Sequence, residues 1–566
     1  MNRPAGWACS RLPLNAGTLC AAMILALMCG VAFAQGIRAT GDLDWPVGDE
    51  DLYRDIAHAQ TILNGDYWAD PFYRDEMLWY NPLTPTLVAT AARMMDLPVP
   101  VAYTRMGAYL NLLAPLSFCA LVCVFFGKWT AIAATFGFLF VVSNTEPSWS
   151  SATYSPWLFA ASFAQSLFYV TLLTYRQALH VQRTRWYLLV GVLLGLTFLG
   201  HTAPAIILGS VIGLMTLQAT AQSLRHERLS GGLWRHIGHF EIITVAALIV
   251  SAPFLYSILG HYGLRIVNDS PVNWIDHDLL LSNFGSFINR NLSGGLLIAL
   301  VGIGLIDLVW RQPKRIERKL LLLWLLVTVG FIAFGYVRQA LEQRQIVLSG
   351  VVPGFHFLFY FRAAEAVLFG LGLVASARFS MGLLRRAGLW LSRHLSVSTP
   401  TRLWGEGVVL IPVMLVVWAS VYPTHATRDD FVKYRLMAQQ REQEIDKTNA
   451  FNWIRAHTQP TDVILATDHW GMFVVGAAGR KVVAVSPFFS NPYVAWDSRA
   501  SDRDLMLRQA QTGDADGFEE LAKKYHVRYV VVSGDRAQAI EQAAPPFLRE
   551  VFASGKVRIY DVLPPE

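Results

Sequence analysis

The sequence predicts a polytopic α-helical membrane protein that ends in a small α/β domain outside the bilayer. Of its 566 residues, 54% are apolar and 16% are charged, well under the roughly one-quarter charge usual in soluble domains. Apolar runs of about 18 or more residues recur along most of the chain. After Tyr422 and Pro423 the composition changes abruptly to charged helical segments alternating with short β-rich runs.

Taken in order, the apolar runs predict about eleven spans, at roughly 17–34, 106–126, 129–143, 155–175, 187–201, 203–220, 240–260, 292–310, 320–337, 356–376 and 407–422. The net charge of +6 is not a nucleic-acid signature, because the basic residues fall in short loops at alternating ends of the runs. Arg3 and Arg11 precede the first run, Lys128 follows the second, and Arg311, Lys314, Arg315, Arg318 and Lys319 form a later cluster. This positive-inside bias puts the amino terminus inside and the carboxy terminus outside. The first run, with Ala32-Phe33-Ala34 before Gln35, also fits a cleavable signal peptide; a retained helix is the reading adopted, because the acidic loop that follows needs an anchor. The five cysteines, Cys9, Cys20, Cys29, Cys119 and Cys123, lie in or beside apolar segments, so the last 140 or so residues hold no disulfide framework or zinc cluster.

Two domains follow: residues 1–422 as the membrane domain, with a long first outer loop at 35–105, and 423–566 as the outer α/β domain. In the first loop Leu52, Ile56, Ala59 and Leu63 recur at helical spacing, which predicts a helix lying on the membrane surface. In the outer domain strands are expected at Val463–Ala466, Val482–Val485 and Val527–Val532, with a helix near 517–525 before the last.

Chemistry-bearing residues concentrate in the loops. The run Gly48-Asp49-Glu50-Asp51-Leu52-Tyr53-Arg54-Asp55 sets a dense acidic cluster beside a span, a costly position for charge unless it performs a task there. Some of these acids also suit the first turn of the following helix; for Asp51 and Asp55 that capping role is the one expected. A second outer turn carries Glu146. His201 sits in the tight turn Gly200-His201-Thr202-Ala203-Pro204, where contact with a phosphate or acceptor and a hydrogen-bonded interfacial histidine are both open. Arg265 lies in the polar fourth outer loop, about 261–291. Arg362 and Glu365 fall inside an apolar run three residues apart, so an internal ion pair stands beside a phosphate-binding role for Arg362.

The order of the acidic pair, an amphipathic helix, Gly65-Asp66-Tyr67-Trp68, and the aromatic-proline segment Trp79-Tyr80-Asn81-Pro82-Leu83-Thr84-Pro85 resembles the first outer loop of the GT-C membrane glycosyltransferases. That superfamily includes protein O-mannosyltransferases, the aminoarabinose transferase of lipid A and oligosaccharyltransferase catalytic subunits. The resemblance implies a bacterial inner-membrane transferase with a periplasmic carboxy terminus, moving a hexosyl or pentosyl group from a polyprenyl-phosphate donor to a glycan, lipid or protein acceptor, with inversion. It implies no tightly bound cofactor beyond the lipid-linked co-substrate, with Mg2+ or Mn2+ as an optional cation at Asp49 and Glu146. It assigns Asp49 and Glu50 to catalysis, with Glu146 as a second acid, and Arg362, His201 and Arg265 to the donor phosphate. The segment Thr467-Asp468-His469-Trp470-Gly471 is similar to a drifted form of the oligosaccharyltransferase Trp-Trp-Asp-Tyr-Gly region, which places Asp468, His469 and Trp470 at the acceptor. Where oligosaccharyltransferases carry paired acids this chain reads Thr153-Tyr154-Ser155-Pro156, so the oligosaccharyltransferase-like enzyme with a pyrophosphate-linked glycan is the runner-up. A transporter or lipid flippase, from a different class, is disfavoured by the lack of an inverted repeat or broken helices and by the large outer portions.

Overall fold

Apolar runs of this length satisfy their backbone polar groups in lipid only as helices, and helices form at each of the expected places. The computed structural model describes residues 16–142, 150, 153–225, 232–275, 277–292, 294–311, 315–348, 352–395 and 406–564. Helix α1 (Ala16–Thr40) leads into the first outer loop, which holds α2 (Glu50–Leu63) and α3 (Leu83–Met95). The chain re-enters through α4 (Val99–Leu110) and α5 (Leu113–Phe126), then α6 (Lys128–Phe136) with a π-helical extension to Val141. There follow α7 (Ala160–Val181), α8 (Thr184–Gly200), α9 (Thr202–Arg225) and α10 (Gly232–Leu255). After α11 (Ser270–Asn273) and α12 (Phe284–Leu292) come α13 (Gly295–Arg311), α14 (Ile316–Glu342), α15 (His356–Leu395) and α16 (Glu406–Ala426).

Among the described residues seven helices are long and apolar enough to cross a membrane, eight if the pair Leu281–Asn291 and Gly295–Trp310, bent by 87°, is one span. The other three expected spans fall on helices that are shorter (Lys128–Val141 and α8) or more polar (α7, with Gln165, Thr171, Thr174 and Gln177 buried on its packed face). Helix α15 is the centre of the bundle. It meets α13 through Gly304 and Gly372, each of whose missing Cβ would collide with a backbone carbonyl of the other helix, and α6 through Gly370 against Ala134. Small residues at such crossings let backbones approach closely, which is how helices in lipid gain packing contact.

Helix α2 departs from the expected surface position. Leu52 to Thr61 are all buried, because α3 and α4 cover one side and the π-helical turn Gly471–Gly476 of the outer domain covers another. That domain begins with α17 (Lys433–Glu442) and α18 (Ile445–His457). Its five-stranded sheet has the order β2-β1-β3-β5-β4, from β1 (Val463–Leu465), β2 (Lys481–Val482), β3 (Val527–Ser533), β4 (Leu548–Ser554) and β5 (Val557–Val562). Strand β1 runs parallel to β2 and β3, and β5 runs antiparallel to β3 and β4. The first and third expected strands are present, the second is reduced to Lys481–Val482, a helix at Ala515–Tyr525 precedes the third, and the β4–β5 hairpin around Gly555, at φ +50°, is an addition.

A buried polar junction fixes this domain to the first loop. The Asp70 carboxylate accepts from the amides of Phe72 (2.7 Å) and Tyr73 (2.9 Å) and from Asn491 Nδ2 (2.9 Å). Lys481 Nζ donates to the Asp70 carbonyl, Tyr73 and Ser490 hydroxyls meet at 2.7 Å, and the Val482 amide donates to Phe72 O at 2.7 Å. The fourth outer loop joins from the other side: Tyr262 stacks on Tyr493 and its hydroxyl takes a bond from Asn491, while the amides of Val267 and Asn268 both donate to Pro492 O. Asp70, Ser490 and Asn491 have no exposed surface, so a lost partner is costly. Asn491→Ala is expected to destabilise the protein by about 1–3 kcal/mol, seen as a lower thermal midpoint of the detergent-solubilised chain; an unchanged midpoint shows the junction to be dispensable.

Candidate active site

The site grows from the start of α2. Asp49 is the N-cap: its backbone is extended (φ −97°, ψ 126°) and its Oδ1 accepts the Asp51 amide at 2.9 Å, satisfying one of the donors that a helix start leaves open. The capping expected of Asp51 or Asp55 therefore falls to Asp49. Those two instead flank Arg54, whose Nη1 lies 2.8 Å from Asp51 and whose Nε donates to Asp55 at 3.1 Å. The guanidinium stacks 3.5 Å over the Tyr80 ring, an arrangement that suits its planar, weakly hydrated cation.

These residues form one wall of a cavity of about 880 Å³. Asp49, Glu50, Asp51, Arg54 and Asp55 line it on the α2 side, with Tyr80 and Asn81 from the segment before α3. Arg428 and Asp430, between α16 and α17, and Tyr434 of α17 line the outer-domain side, and His201 and His356, from the α8–α9 turn and the start of α15, line the membrane side. Pro492 and Tyr493 close over it from the junction described above. Trp274, Val352 and Phe355 line both this cavity and an apolar one of about 350 Å³ between α9, α14 and α15.

The enclosure retunes the acids. Burial, with the neighbouring Asp51 charge, pushes Asp49 up to about 7, against the Asp51 amide and Arg54. Burial likewise lifts Asp55 to about 6 even with Arg54 opposing it, and raises Glu50, to which the Asp468 and Asp51 charges add. Burial also works against the charge on Arg54, but Tyr80, Asp55 and Asp51 outweigh it and hold the guanidinium protonated. A carboxylate poised near neutrality can exchange a proton with a hydroxyl at ordinary pH.

Other residues singled out from sequence stand elsewhere. Arg362 is buried and does not line the cavity: its Nη1 pairs with Glu365 at 2.8 Å and its Nη2 donates to Asn291. Arg265 is exposed in the fourth outer loop. Asp468 pairs with Arg503, His469 meets Lys447 at 2.6 Å, and Trp470 is buried with its indole donating to Ser533 at 2.9 Å; none of the three lines the cavity. Glu146 lies outside the described residues. Among those described, no three His, Cys, Asp or Glu side chains are grouped to hold a metal ion. Sequence reasoning missed Arg54, Tyr80, His356, Arg428, Asp430 and Tyr434. Arg54 stood inside the acidic run, and Arg428 and Asp430 stood together just past the last span, a charge cluster that marked them as surely as Asp49.

Similarity searches find no matching family model and no matching curated protein, but solved structures match. ArnT from Cupriavidus metallidurans bound to undecaprenyl phosphate aligns over 98% of this chain and 100% of its own, with a TM-score of 0.54 and 13% identity. Arabinofuranosyltransferase AftD from Mycobacteria aligns over 96% of this chain and 42% of its own, with a TM-score of 0.51 and 14% identity. At these identities the likeness is one of fold. The chain shares its fold with these two structures, a domain of apolar helices followed by an α/β domain.

The raised pKa of Asp49 has a stability consequence of definite sign. The folded protein binds this proton more tightly than the unfolded chain, so the contribution is full below the ordinary value of 3.8 and is lost as pH rises to about 7. Asn caps a helix as well as Asp. The thermal midpoint of Asp49→Asn relative to the unsubstituted protein is therefore expected to climb between pH 4 and 7 and to level off above, and a flat difference across that range refutes the shift.

Proposed function

We propose that this protein is a membrane glycosyltransferase that moves a hexosyl or pentosyl group from a polyprenyl-phosphate donor to a hydroxyl of a glycan, lipid or protein, on the periplasmic face of a bacterial inner membrane. The observation that carries the reading is the cavity itself: a proton-accepting wall at Asp49, in a chamber that shares Trp274, Val352 and Phe355 with an apolar groove between membrane helices. An amphiphilic donor needs both, a polar chamber for sugar and phosphate and an apolar channel for its chain. The undecaprenyl phosphate bound in the ArnT structure supports a ligand of that class here.

Asp49 takes the proton from the acceptor hydroxyl as its oxygen attacks the anomeric carbon. The carbon–oxygen bond to phosphate breaks with inversion, and the lipid leaves as a phosphate monoester. The developing charge on that phosphate needs a cation. Arg54 is matched by two carboxylates, and Arg362 is off the cavity. Arg428 is the better placed: one carboxylate faces it, Asp430 at 3.2 Å, its contacts to Thr153 Oγ1 and Tyr154 O are long at 3.4 and 3.3 Å, and its buried Nε has no partner. Glu50 stands beside Asp49 as an auxiliary acid. The outer-domain trio Asp468, His469 and Trp470 does not line the cavity, which leaves the pyrophosphate-glycan alternative without the acceptor contacts it would need.

Purified protein incubated with a panel of polyprenyl-phosphate sugars, followed by mass spectrometry, is expected to consume at least one donor with release of polyprenyl phosphate; transport into sealed vesicles without covalent product refutes the reading. Asp49→Asn should lower turnover about 10²–10⁴-fold and leave donor binding intact, and the rate of the unsubstituted enzyme should rise with pH up to about 7. Near-normal turnover in Asp49→Asn with a collapse in Glu50→Gln moves the base by one residue. Arg428→Met is expected to raise the donor KM, whereas Arg362→Met/Glu365→Met leaves it unchanged; the reverse pattern returns the phosphate to Arg362.

A further inference from the structure

His201 and His356 come from different helices and meet at the membrane side of the cavity, their ring centroids 4.5 Å apart and their planes inclined by 37°. Their hydrogen bonds fix complementary tautomers. The Ala203 amide donates to His201 Nδ1 at 3.2 Å, so that nitrogen is bare and the neutral ring carries its proton on Nε2. His356 Nδ1 lies 3.1 Å from the Pro353 carbonyl; a carbonyl only accepts, so Nδ1 is the protonated nitrogen and Nε2 is bare. Neither Nε2 has a hydrogen-bond partner among the described residues, and neither is sealed from solvent. Side by side in the cavity wall, the two histidines offer one donor and one acceptor.

A phosphodiester presents acceptors only, so it can satisfy His201 but leaves the His356 lone pair facing oxygen. A polyol satisfies both: one hydroxyl donates to His356 Nε2 while an oxygen on the neighbouring carbon accepts from His201 Nε2. We propose that the His201–His356 pair reads a vicinal pair of oxygens on the transferred sugar, and so sets which sugar the enzyme accepts. His356 stacks on Phe355, 3.9 Å between centroids, and Phe355 lines both cavities. The reader therefore stands where the apolar groove meets the polar chamber, at the head of any lipid lying in the groove. The inference rests on the function proposed above.

The test compares bare undecaprenyl phosphate with its monohexosyl and monopentosyl esters, binding to the full-length protein in nanodiscs. His356→Asn keeps a donor to Pro353 O and removes the acceptor, and His201→Asn keeps an acceptor for the Ala203 amide and removes the donor. For the ester that the unsubstituted protein prefers, each variant is expected to lose about tenfold in affinity, the scale of one buried hydrogen bond, with the bare lipid held as before. His356→Gln, which returns an amide oxygen near the Nε2 position, should recover most of the loss. An ester lacking the hydroxyl that is read should bind the unsubstituted protein and His356→Asn equally. Equal losses for bare and glycosylated lipid make the pair a phosphate contact, and unchanged affinities make it idle; either overturns the inference and leaves the transferase reading standing. If no ester binds more tightly than the bare lipid even to the unsubstituted protein, the donor class itself is wrong.

Discussion

The Asp70 junction is the constraint on which the rest of the site depends. Burying a carboxylate is expensive unless donors surround it, and the donors here come from three separate stretches: the loop's own amides at Phe72 and Tyr73, Asn491 of the outer domain, and Lys481 at the backbone carbonyl. Burial nonetheless lifts Asp70 to about 6, a sign that the group is held where it is by its surroundings. Because the same asparagine also bonds Tyr262, the fourth outer loop, the first outer loop and the outer domain share one node. Pro492 and Tyr493, the roof of the cavity, follow Asn491 directly, so the height of the chamber is set by that node.

Asp49 carries two duties that pull in the same direction. As a cap it must point its oxygen back at the Asp51 amide, and that bond fixes the rotamer which presents the carboxylate to the cavity. The cap bond favours the charged form while the enclosure and Asp51 oppose it, and the enclosure wins. An acid held this way is pre-oriented without a dedicated partner, which is economical where the neighbouring helix face is already packed from Leu52 to Thr61.

Much of this was legible in the sequence. Apolar run length located the helices, and the acidic cluster with its aromatic-proline continuation marked the loop that forms the cavity wall. Local pattern could not show convergence. His356 and Tyr434 are each ordinary in their own segment and acquire meaning only by meeting the other lining residues across the bundle. Arg362 shows the opposite failure: an intramembrane charge invites a functional reading, but Glu365 one turn away pairs with it and Asn291 on α12 accepts its hydrogen bond inside the packing. The surface helix at α2 failed for a related reason, since an amphipathic stripe does not reveal that a domain some 400 residues later in the chain will cover the remaining face. The β4–β5 hairpin was available in principle, from alternating Val557-Arg558-Ile559-Tyr560 after a serine-glycine turn.

The glycine contact between α13 and α15 reaches further than its size suggests. Gly372 lies sixteen positions after His356 on one continuous helix, about 24 Å along its axis at 1.5 Å per residue. A single added methyl there, meeting the Leu300 carbonyl, must push the whole rod sideways or along its length, since helices transmit displacement better than they absorb it. A lesion buried among lipid-facing helices would then surface at the far end as an altered appetite for substrate. Genetic variation in such a protein is therefore hard to read from distance alone: the residues that tune selectivity include some that never approach the chamber.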